Sequence, residues 1–214
     1  MNLAPFKRSY PAPRALLRLL LGVAVPLLLA GSIAEDILEQ ERFAFEQPLM
    51  LWLHEHSGAL LTHIALAFHY LGKVQVAALM AILFALWQYR HKQPGRAIFV
   101  LLGTALPALI MLIAKLFFNR PRPELWPRLV VETSASFPSG HSTFAAAFAT
   151  LWVLIYWRSP HRRLIIAAAV LFALAMGISR MILGVHYPTD VLVGWLTGMS
   201  TVLGLYTLMR SRLP

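Results

Sequence analysis

Long apolar segments, separated by short clusters of arginine and lysine, restrict this chain to few folds. A bilayer core is about 30 Å thick and offers no water to backbone polar groups, so chains cross it as helices of about 20 residues. The 58% hydrophobic and 13% charged content fits such a protein. We expect one all-α domain over residues 1–214, a polytopic membrane bundle of about six transmembrane helices. They are predicted near 19–33, 74–89, 98–118, 142–157, 164–178 and 191–209.

The region around the first apolar segment allows two interpretations. With the basic residues ahead of it, the segment resembles a signal peptide, for which 32–34 is a candidate cleavage site. We favour an uncleaved first helix, after which the acidic and aromatic residues of 35–56 predict a helix along the outer interface. In both cases the chain emerges on the outer side. The basic residues ahead of the segment are Lys7, Arg8, Arg14 and Arg18.

The distribution of charge predicts the orientation of the bundle. Most of the 19 basic residues fall in loops on one proposed side, whereas all nine acidic residues fall on the other. Because basic loops stay in the cytoplasm, we expect a multi-pass protein of the cell (inner) membrane with its acidic side outside. The net charge of +10 could also indicate nucleic-acid binding. The basic residues form short clusters rather than one stripe, however, so we expect no nucleic-acid partner.

Two residue types limit the chemistry of the chain. It has no cysteine, which excludes disulfides, a thiolate nucleophile and cysteine metal ligands. Four histidines before the second predicted span could be interpreted as a metal cluster. They have no neighbouring cysteines, so we favour interfacial or packing roles for them and expect no metal site. These histidines are His54, His56, His63 and His69.

Five basic residues on the proposed outer side are not explained by the orientation of the bundle: Lys115, Arg120, Arg122, Arg128 and Arg180. Three of them are candidates for binding an anion. Lys115 and Arg122 are separated by six residues, and Arg180 follows further along the chain. The charge on the nonbridging oxygens of a phosphate is stabilised by fixed cationic donors, arginine through its bidentate fork and lysine as a point charge. A lone arginine at a helix end more often extends to lipid headgroups, which is the alternative interpretation.

Polar residues also precede one of the apolar runs. In Pro138-Ser139-Gly140-His141, Ser139 stands where a helix N-cap would be, so the amides that follow lie at the positive end of a helix dipole. Such amides can bind phosphate, and Gly140 would let the backbone approach an anion without a Cβ in the way. The alternative is an ordinary capped helix start.

His186 and Asp190 are four residues apart, with Pro188 between them. Proline favours a helix start, so Asp190 should lie one turn along the same face and reach the imidazole. A carboxylate that orients a histidine is half of a catalytic triad, and a histidine can also attack phosphorus itself. Such a pair is more often structural than catalytic, so the spacing shows only that these roles are available.

Together and in this order, the motifs resemble the signature of the type 2 phosphatidic acid phosphatase (PAP2) family over residues 115–190. The resemblance implies a membrane lipid-phosphate phosphatase that forms a phosphohistidine intermediate and needs no metal or other cofactor. It implies that His186 is the nucleophile, that His141 is the general acid and that Asp190 orients His186. It assigns phosphate binding to Lys115, Arg122, Ser139, Gly140 and Arg180.

The motifs leave the lipid and the acceptor of the phosphoryl group open. Related families with the same anion site include vanadium haloperoxidases, glucose-6-phosphatase and lipid phosphotransferases, although a soluble haloperoxidase would not need these spans. A site on the outer face favours undecaprenyl diphosphate as substrate, followed by phosphatidylglycerophosphate and phosphatidate. Transfer of the phosphoryl group to another lipid is the alternative reaction. A transporter lined by intramembrane charges is the alternative class.

Overall fold

Helices are the regular elements of the part of the chain that the computed structural model describes, residues 17, 19–41, 43–210 and 213. No strand occurs in these residues, so the predicted all-α class is confirmed. The basic residues Lys7, Arg8, Arg14 and Arg18, on which the signal-peptide interpretation rested, lie outside them. The helices are α1 (Leu20–Leu38, beginning with a π-helical turn), α2 (Glu46–His56), α3 (Ala59–Leu71), α4 (Val74–Arg90), α5 (Pro94–Phe118), α6 (Gly140–Ile155), α7 (Arg162–Ile182) and α8 (Pro188–Met209).

Four helices, α1, α5, α7 and α8, are long and apolar enough to cross a bilayer. A fifth crossing results if α3 and α4 count as one span, bent by 65° at the break between them. The sequence predicted about six, including α6. With 16 residues, α6 is about 24 Å long at about 1.5 Å per residue, which is shorter than a bilayer core. The chain is thus a multi-pass membrane protein, and its described residues contain four or five candidate spans and the short apolar α6.

The outer region differs from the single interfacial helix predicted over 35–56. The first helix continues to Leu38, because Ile37 packs against Phe137 in a buried cluster that extends the apolar face of α1. A turn follows, and α2 begins only at Glu46. This helix packs on α7 and α8 and buries Met50 completely. It is therefore part of the bundle as well as of the outer surface.

The short helix α6 lies in the middle of the bundle and contacts α5, α7 and α8. Its Leu151 is completely buried in a cluster with Phe99 of α5 and Val202 of α8. Large apolar side chains on the outer faces stay exposed, such as Leu116 at 85% and Leu208 at 81%. An apolar outer surface of this kind suits contact with lipid tails.

Two glycines allow α8 to approach α6 closely. The spacing of Gly194 and Gly198 is compatible with a helix dimer or with packing inside one bundle, and the sequence favours the second. A Cβ at Gly198 would lie 2.3 Å from the carbonyl oxygen of Thr143, and one at Gly194 would lie 2.7 Å from that of Ser139. Both glycines face α6, so the prediction of packing within the bundle is confirmed.

The loop between α5 and α6 folds over the end of the bundle where α5 and α7 end and α6 and α8 begin. It starts at Asn119, whose φ of 43° is left-handed, a conformation that asparagine tolerates better than most residues. Backbone hydrogen bonds hold the loop, from Ser136 to the carbonyl of Arg120 (2.8 Å) and from Ser139 to the carbonyl of Asp190 (3.0 Å). The second bond joins the start of α6 to the start of α8.

Gly198→Ala should lower the stability of the protein, because the new Cβ forces α6 and α8 apart. Overpacking of a close interface costs about 1–3 kcal/mol. The melting temperature of the detergent-solubilised protein measures this effect. Gly31→Ala is a matched control, since no described atom lies within 4 Å of the Cβ it would add and alanine favours the helix. Equal changes in melting temperature for the two variants would contradict the packing role of Gly198.

Candidate active site

The residues predicted to form the site lie where four helix ends meet. Six of the eight are buried, and the other two, Gly140 and His141, follow the buried Ser139 directly. The structure therefore brings the three motifs together at one end of the bundle. The residues are Lys115 in the last turn of α5, Arg122 in the next loop, Ser139, Gly140 and His141 at the start of α6, Arg180 in the last turn of α7, His186 in the following loop, and Asp190 in the first turn of α8.

Helix α6 begins as the sequence predicted, with Ser139 as its N-cap. The Oγ of Ser139 accepts hydrogen bonds from the amide of Ser142 (3.4 Å) and from the hydroxyl of Ser142 (3.0 Å). The first amides of α6 carry the partial positive charge of a helix N-terminus. A Cβ at Gly140 would lie 3.2 Å from Cε of Met111. Glycine therefore keeps the contact between α5 and the start of α6 close.

His186 and Asp190 form the pair that their spacing predicted. His186 Nδ1 lies 3.4 Å from Asp190 Oδ2, and both side chains are buried. The other ring nitrogen, Nε2, lies 3.2 Å from Arg122 Nη1. A guanidinium can only donate hydrogen bonds, so Nε2 is the acceptor and the ring proton is on Nδ1, facing the carboxylate. The neutral ring therefore directs its lone pair toward the cations.

The surroundings of the pair keep the His186 ring uncharged. Burial lowers the pKa of His186 to about 3, although its hydrogen bond with Asp190 acts in the opposite direction. The ring is therefore neutral at neutral pH, as a nucleophile or base must be. Asp190 Oδ2 also accepts hydrogen bonds from the amide of Tyr187 (2.9 Å) and from the hydroxyl of Ser136. The motif spacing did not identify Ser136, which precedes the second motif.

Lys115 and Arg122 take their partners from backbone carbonyls. Lys115 Nζ donates to the carbonyl of Ala135. Arg122 donates from Nε to the carbonyl of Ser134 (2.9 Å) and from Nη1 to that of Val185 (2.7 Å). Burial lowers the pKa of Arg122, but a guanidinium remains charged in proteins. Backbone carbonyls thus accept these three hydrogen bonds, and Arg122 has in addition a carboxylate, that of Glu132, 3.8 Å from its Nη2.

Arg180 is completely buried, and its hydrogen bonds are incomplete. Its Nη2 donates to Glu132 Oε1 (2.6 Å), and its Nη1 lies 3.0 Å from His69 Nδ1. Its Nε is buried and has no hydrogen-bond partner among the described residues. A buried donor without an acceptor is costly, and an anion bound beside Arg180 could supply one.

Glu132 belongs to the site although the sequence did not predict it. Its carboxylate lies 2.6 Å from Arg180 Nη2 and 3.8 Å from Arg122 Nη2. Carboxylate and phosphate oxygens use the same arginine donors. The side chain of Glu132 therefore occupies a position that suits a phosphate oxygen. The loop between the first two motifs contains two acidic residues, Glu124 and Glu132, and the sequence alone does not show which of them reaches the site.

His141 makes its contacts with His69, which the sequence interpreted as an interfacial or packing residue. The two rings stack with centroids 5.6 Å apart, and His141 Nε2 lies 3.0 Å from the carbonyl oxygen of His69. The break between α3 and α4 makes room for this contact, since a Cβ at Gly72 would lie 2.1 Å from His141 Cδ2. The interpretation of His69 was therefore incomplete. The other histidines of the supposed cluster, His54, His56 and His63, make their contacts elsewhere.

A different set of residues could in principle hold a metal ion. His69, Glu132 and His141 each offer one ligand atom, and these atoms lie within 4.8 Å of one another. Arg180 contacts two of the three residues. The positive charge of its guanidinium opposes the binding of a second cation between them.

Comparison with known proteins identifies relatives with named activities. The chain is 32% identical over 184 residues to phosphatidylglycerophosphatase B of Bacillus subtilis (strain 168), which covers 81% of this chain and 85% of the relative. It is 30% identical over 129 residues to undecaprenyl-diphosphatase BcrC of the same organism, covering 58% and 63%. The fold resembles the crystal structure of a transmembrane PAP2 type phosphatidylglycerolphosphate phosphatase from Bacillus subtilis. The TM-score is 0.79 at 23% identity, covering 88% of this chain and 96% of that chain.

Fold, site and relatives together define an integral-membrane lipid phosphatase, an enzyme that acts on the phosphate of a membrane lipid. The sequence pattern of the PAP2 superfamily matches residues 96–214, which is more than half of the chain. The chain belongs to this superfamily. The resemblance inferred from the three motifs is confirmed, and the transporter alternative is excluded.

Glu132→Gln should increase the affinity for orthovanadate, an analogue of phosphate. The variant removes the carboxylate that pairs with Arg180, so an incoming anion no longer has to displace a charged competitor. We expect the inhibition constant for orthovanadate to fall by about tenfold. This corresponds to about 1.4 kcal/mol of binding free energy that is no longer spent on displacing the carboxylate. Glu124→Gln is the matched control, because the Glu124 side chain is 83% exposed. An unchanged inhibition constant in Glu132→Gln would show that Glu132 does not compete with anions.

Proposed function

We propose that His186 is the nucleophile of a two-step phosphoryl transfer, that Asp190 orients it and that His141 is the general acid. One observation carries the proposal. His186 Nε2 accepts from Arg122, and Nδ1 faces Asp190. The ring thus keeps its lone pair toward the cations that would bind a phosphate, while its proton faces a carboxylate that can stabilise the charge gained during attack.

In the first step, His186 Nε2 attacks phosphorus, and the bond between phosphorus and the lipid oxygen breaks. His141 starts as the imidazolium and gives its proton to the departing oxygen, and Asp190 stabilises the positive charge on the His186 ring. In the second step, water attacks phosphorus and gives a proton to His141, and the bond between phosphorus and nitrogen breaks. Each turnover consumes one water, releases inorganic phosphate and returns both histidines to their starting forms.

The proposal assigns the phosphate to Lys115, Arg122 and Arg180, with Ser139 and Gly140 at the N-terminus of α6. The unsatisfied Nε of Arg180 and the position of Glu132 between two arginines support this assignment. Fixed donors of this kind stabilise the charge that spreads over the phosphoryl oxygens in the transition state.

The substrate we propose first is phosphatidylglycerophosphate. The sequence favoured undecaprenyl diphosphate. However, the relative matched over 81% of this chain and 85% of its own length is named for phosphatidylglycerophosphate. Undecaprenyl diphosphate is the second candidate, since another relative is named for it, and phosphatidate is the third. Transfer to water rather than to another lipid accords with the hydrolase names of both relatives.

We further propose that residues 1–214 form one domain with its motif core at 115–190, and that the site faces the periplasm or outer side of the inner membrane. The helix directions support this orientation. Helix α5 ends at the site and α6 begins there, so the basic loops before α5 and after α6 lie at the opposite end of the bundle. Basic loops of this kind remain in the cytoplasm.

Reporter fusions test the orientation. Fusions after Arg96 and Arg163 should give a cytoplasmic signal, because both positions belong to the basic end of the bundle. A fusion at Glu132 should give an outer signal. A cytoplasmic signal at Glu132 would reverse the proposed orientation.

Chelation tests the expected independence from metal. The proposed anion site consists of Lys115, Arg122, Arg180 and the amides of α6, so removal of divalent ions should leave phosphate release unchanged within about twofold, in contrast to metal-dependent phosphoryl transfer. The measurement is phosphate released from phosphatidylglycerophosphate with and without a chelator. Loss of activity that magnesium or zinc restores would refute this expectation.

Substitution of the two histidines tests the proposed roles. His186→Ala should abolish turnover of every substrate, because the covalent route is lost. His141→Ala should lower turnover of a lipid phosphate by about 10²- to 10⁴-fold, the usual contribution of a general acid. An aryl phosphate hardly needs protonation of its leaving group, so His141→Ala should recover much of its activity on that substrate.

Rapid quenching with ³²P-labelled substrate gives a direct measure of the intermediate. The His141→Ala protein should carry label, and the His186→Ala protein should carry none. Phosphate release by the unsubstituted protein from phosphatidylglycerophosphate, undecaprenyl diphosphate and phosphatidate ranks the substrates. Labelled protein from His186→Ala would assign the nucleophile to another residue.

A further inference from the structure

Arg120 lies between two carboxylates, one of which belongs to the proposed site. Its Nη1 lies 2.6 Å from Asp190 Oδ1, and its Nη2 lies 2.8 Å from Glu46 Oε2. The carboxylates are 0% and 5% exposed, and the guanidinium is 11% exposed. One cation therefore links two buried anions, of which one is the proposed partner of His186.

Glu46 is fixed by contacts of its own. It stands in the first turn of α2, and its second oxygen accepts from the amide of Thr189 (3.3 Å) and from the hydroxyl of Thr189. Arg120 also donates to the Thr189 hydroxyl (2.9 Å). These bonds connect α2 to the residue that directly precedes Asp190 at the start of α8.

The two oxygens of Asp190 have separate tasks. Oδ2 faces His186 and accepts from Ser136 and Tyr187, whereas Oδ1 is held by Arg120. The contact through Oδ1 fixes the plane of the carboxylate and thereby the direction of Oδ2. An orienting carboxylate needs this fixation, because the tautomer and angle of the histidine depend on it.

The charge of Arg120 would weaken Asp190 if nothing opposed it. A guanidinium in contact with Asp190 attracts the negative charge that should stabilise the His186 imidazolium, and it does so strongly in a buried site. Glu46 shares the same guanidinium, so part of its positive charge is directed away from Asp190. Burial alone would lower the pKa of Arg120, but the two carboxylates outweigh it and raise that pKa.

We propose that Arg120 and Glu46 are positioning residues for the reaction: Arg120 fixes the Asp190 carboxylate, and Glu46 offsets the Arg120 charge so that Asp190 still stabilises the His186 cation. This inference rests on the proposed function, in which His186 becomes positively charged during attack. It adds to the PAP2 motif residues one residue of the loop after α5 and one residue of the outer helix α2.

A double-mutant cycle tests the inference. Glu46→Gln leaves the full Arg120 charge on Asp190 and should lower kcat on the best lipid phosphate by about tenfold, with KM within about twofold, because the loss affects the transition state and not substrate binding. Arg120→Gln removes the contact that fixes the Asp190 carboxylate and leaves Glu46 without its cation, so it should lower kcat by about 100-fold, as loss of the partner of an orienting group does. The double variant removes both charges and should have a higher kcat than Arg120→Gln alone.

Two controls carry the same chemical changes at exposed positions. Glu124→Gln and Arg90→Gln should leave kcat and KM unchanged, since Glu124 is an exposed loop residue and Arg90 lies at the far end of α4. The melting temperature of every variant is measured as well. If Glu46→Gln lowers the melting temperature while kcat stays at the wild-type value, Glu46 is only a structural anchor and the inference is wrong.

A spectroscopic measurement separates this inference from the proposed function. The ¹⁵N shifts of the His186 ring, recorded without substrate, report whether Nδ1 keeps its proton beside Asp190. Glu46→Gln and Arg120→Gln should change these shifts, and the double variant should return them toward wild type. If the shifts are unchanged in both single variants, the inference is wrong, even when His186→Ala is inactive. If His186→Ala is active, the proposed function is wrong. The shifts then still report whether Arg120 and Glu46 position the His186 ring.

Discussion

The replacement of water around buried cations by polar groups of the protein is the constraint on which the rest of this structure depends. Lys115, Arg122 and Arg180 are less than 10% exposed, and a charge away from water is unfavourable unless other groups replace the solvent. The loop between α5 and α6 supplies those groups, through the carbonyls of residues 134–135 and the carboxylate of Glu132. The site needs the cations, and the cations need this loop to fold over them.

Close packing of α6 against α8 gives this arrangement its geometry. Because Gly194 and Gly198 let the two helices approach, the amide of Ser139 reaches the carbonyl of Asp190. A single backbone hydrogen bond thus fixes the second motif relative to the third. The positive end of α6 and the histidine–aspartate pair are then held together by main-chain atoms, which have less freedom than side chains.

Sequence reasoning succeeded where the information is local. The N-cap at Ser139 and the reach of Asp190 to His186 depend on four or five neighbouring positions, so spacing was enough. Arg180 contacts His69 across 111 positions and Glu132 across 48, and such contacts depend on the bend between α3 and α4 and on the path of a loop. Hydropathy identified apolar segments correctly, yet it could not distinguish lipid-facing spans from α6, whose apolar residues face other helices.

If the site binds phosphate as we propose, Glu132 is an internal competitor with a fixed effective concentration. A carboxylate attached to the chain remains beside Arg180 at every concentration of free anion, as expected for a tethered group. On the proposed mechanism, arrival and departure of a phosphate are exchanges of one anion for another, so the guanidinium groups need little rearrangement in either direction. Once inorganic phosphate has formed, the Glu132 carboxylate can take its place beside Arg180. The carboxylate that pairs with the buried Arg180 would then favour release of the product over its retention.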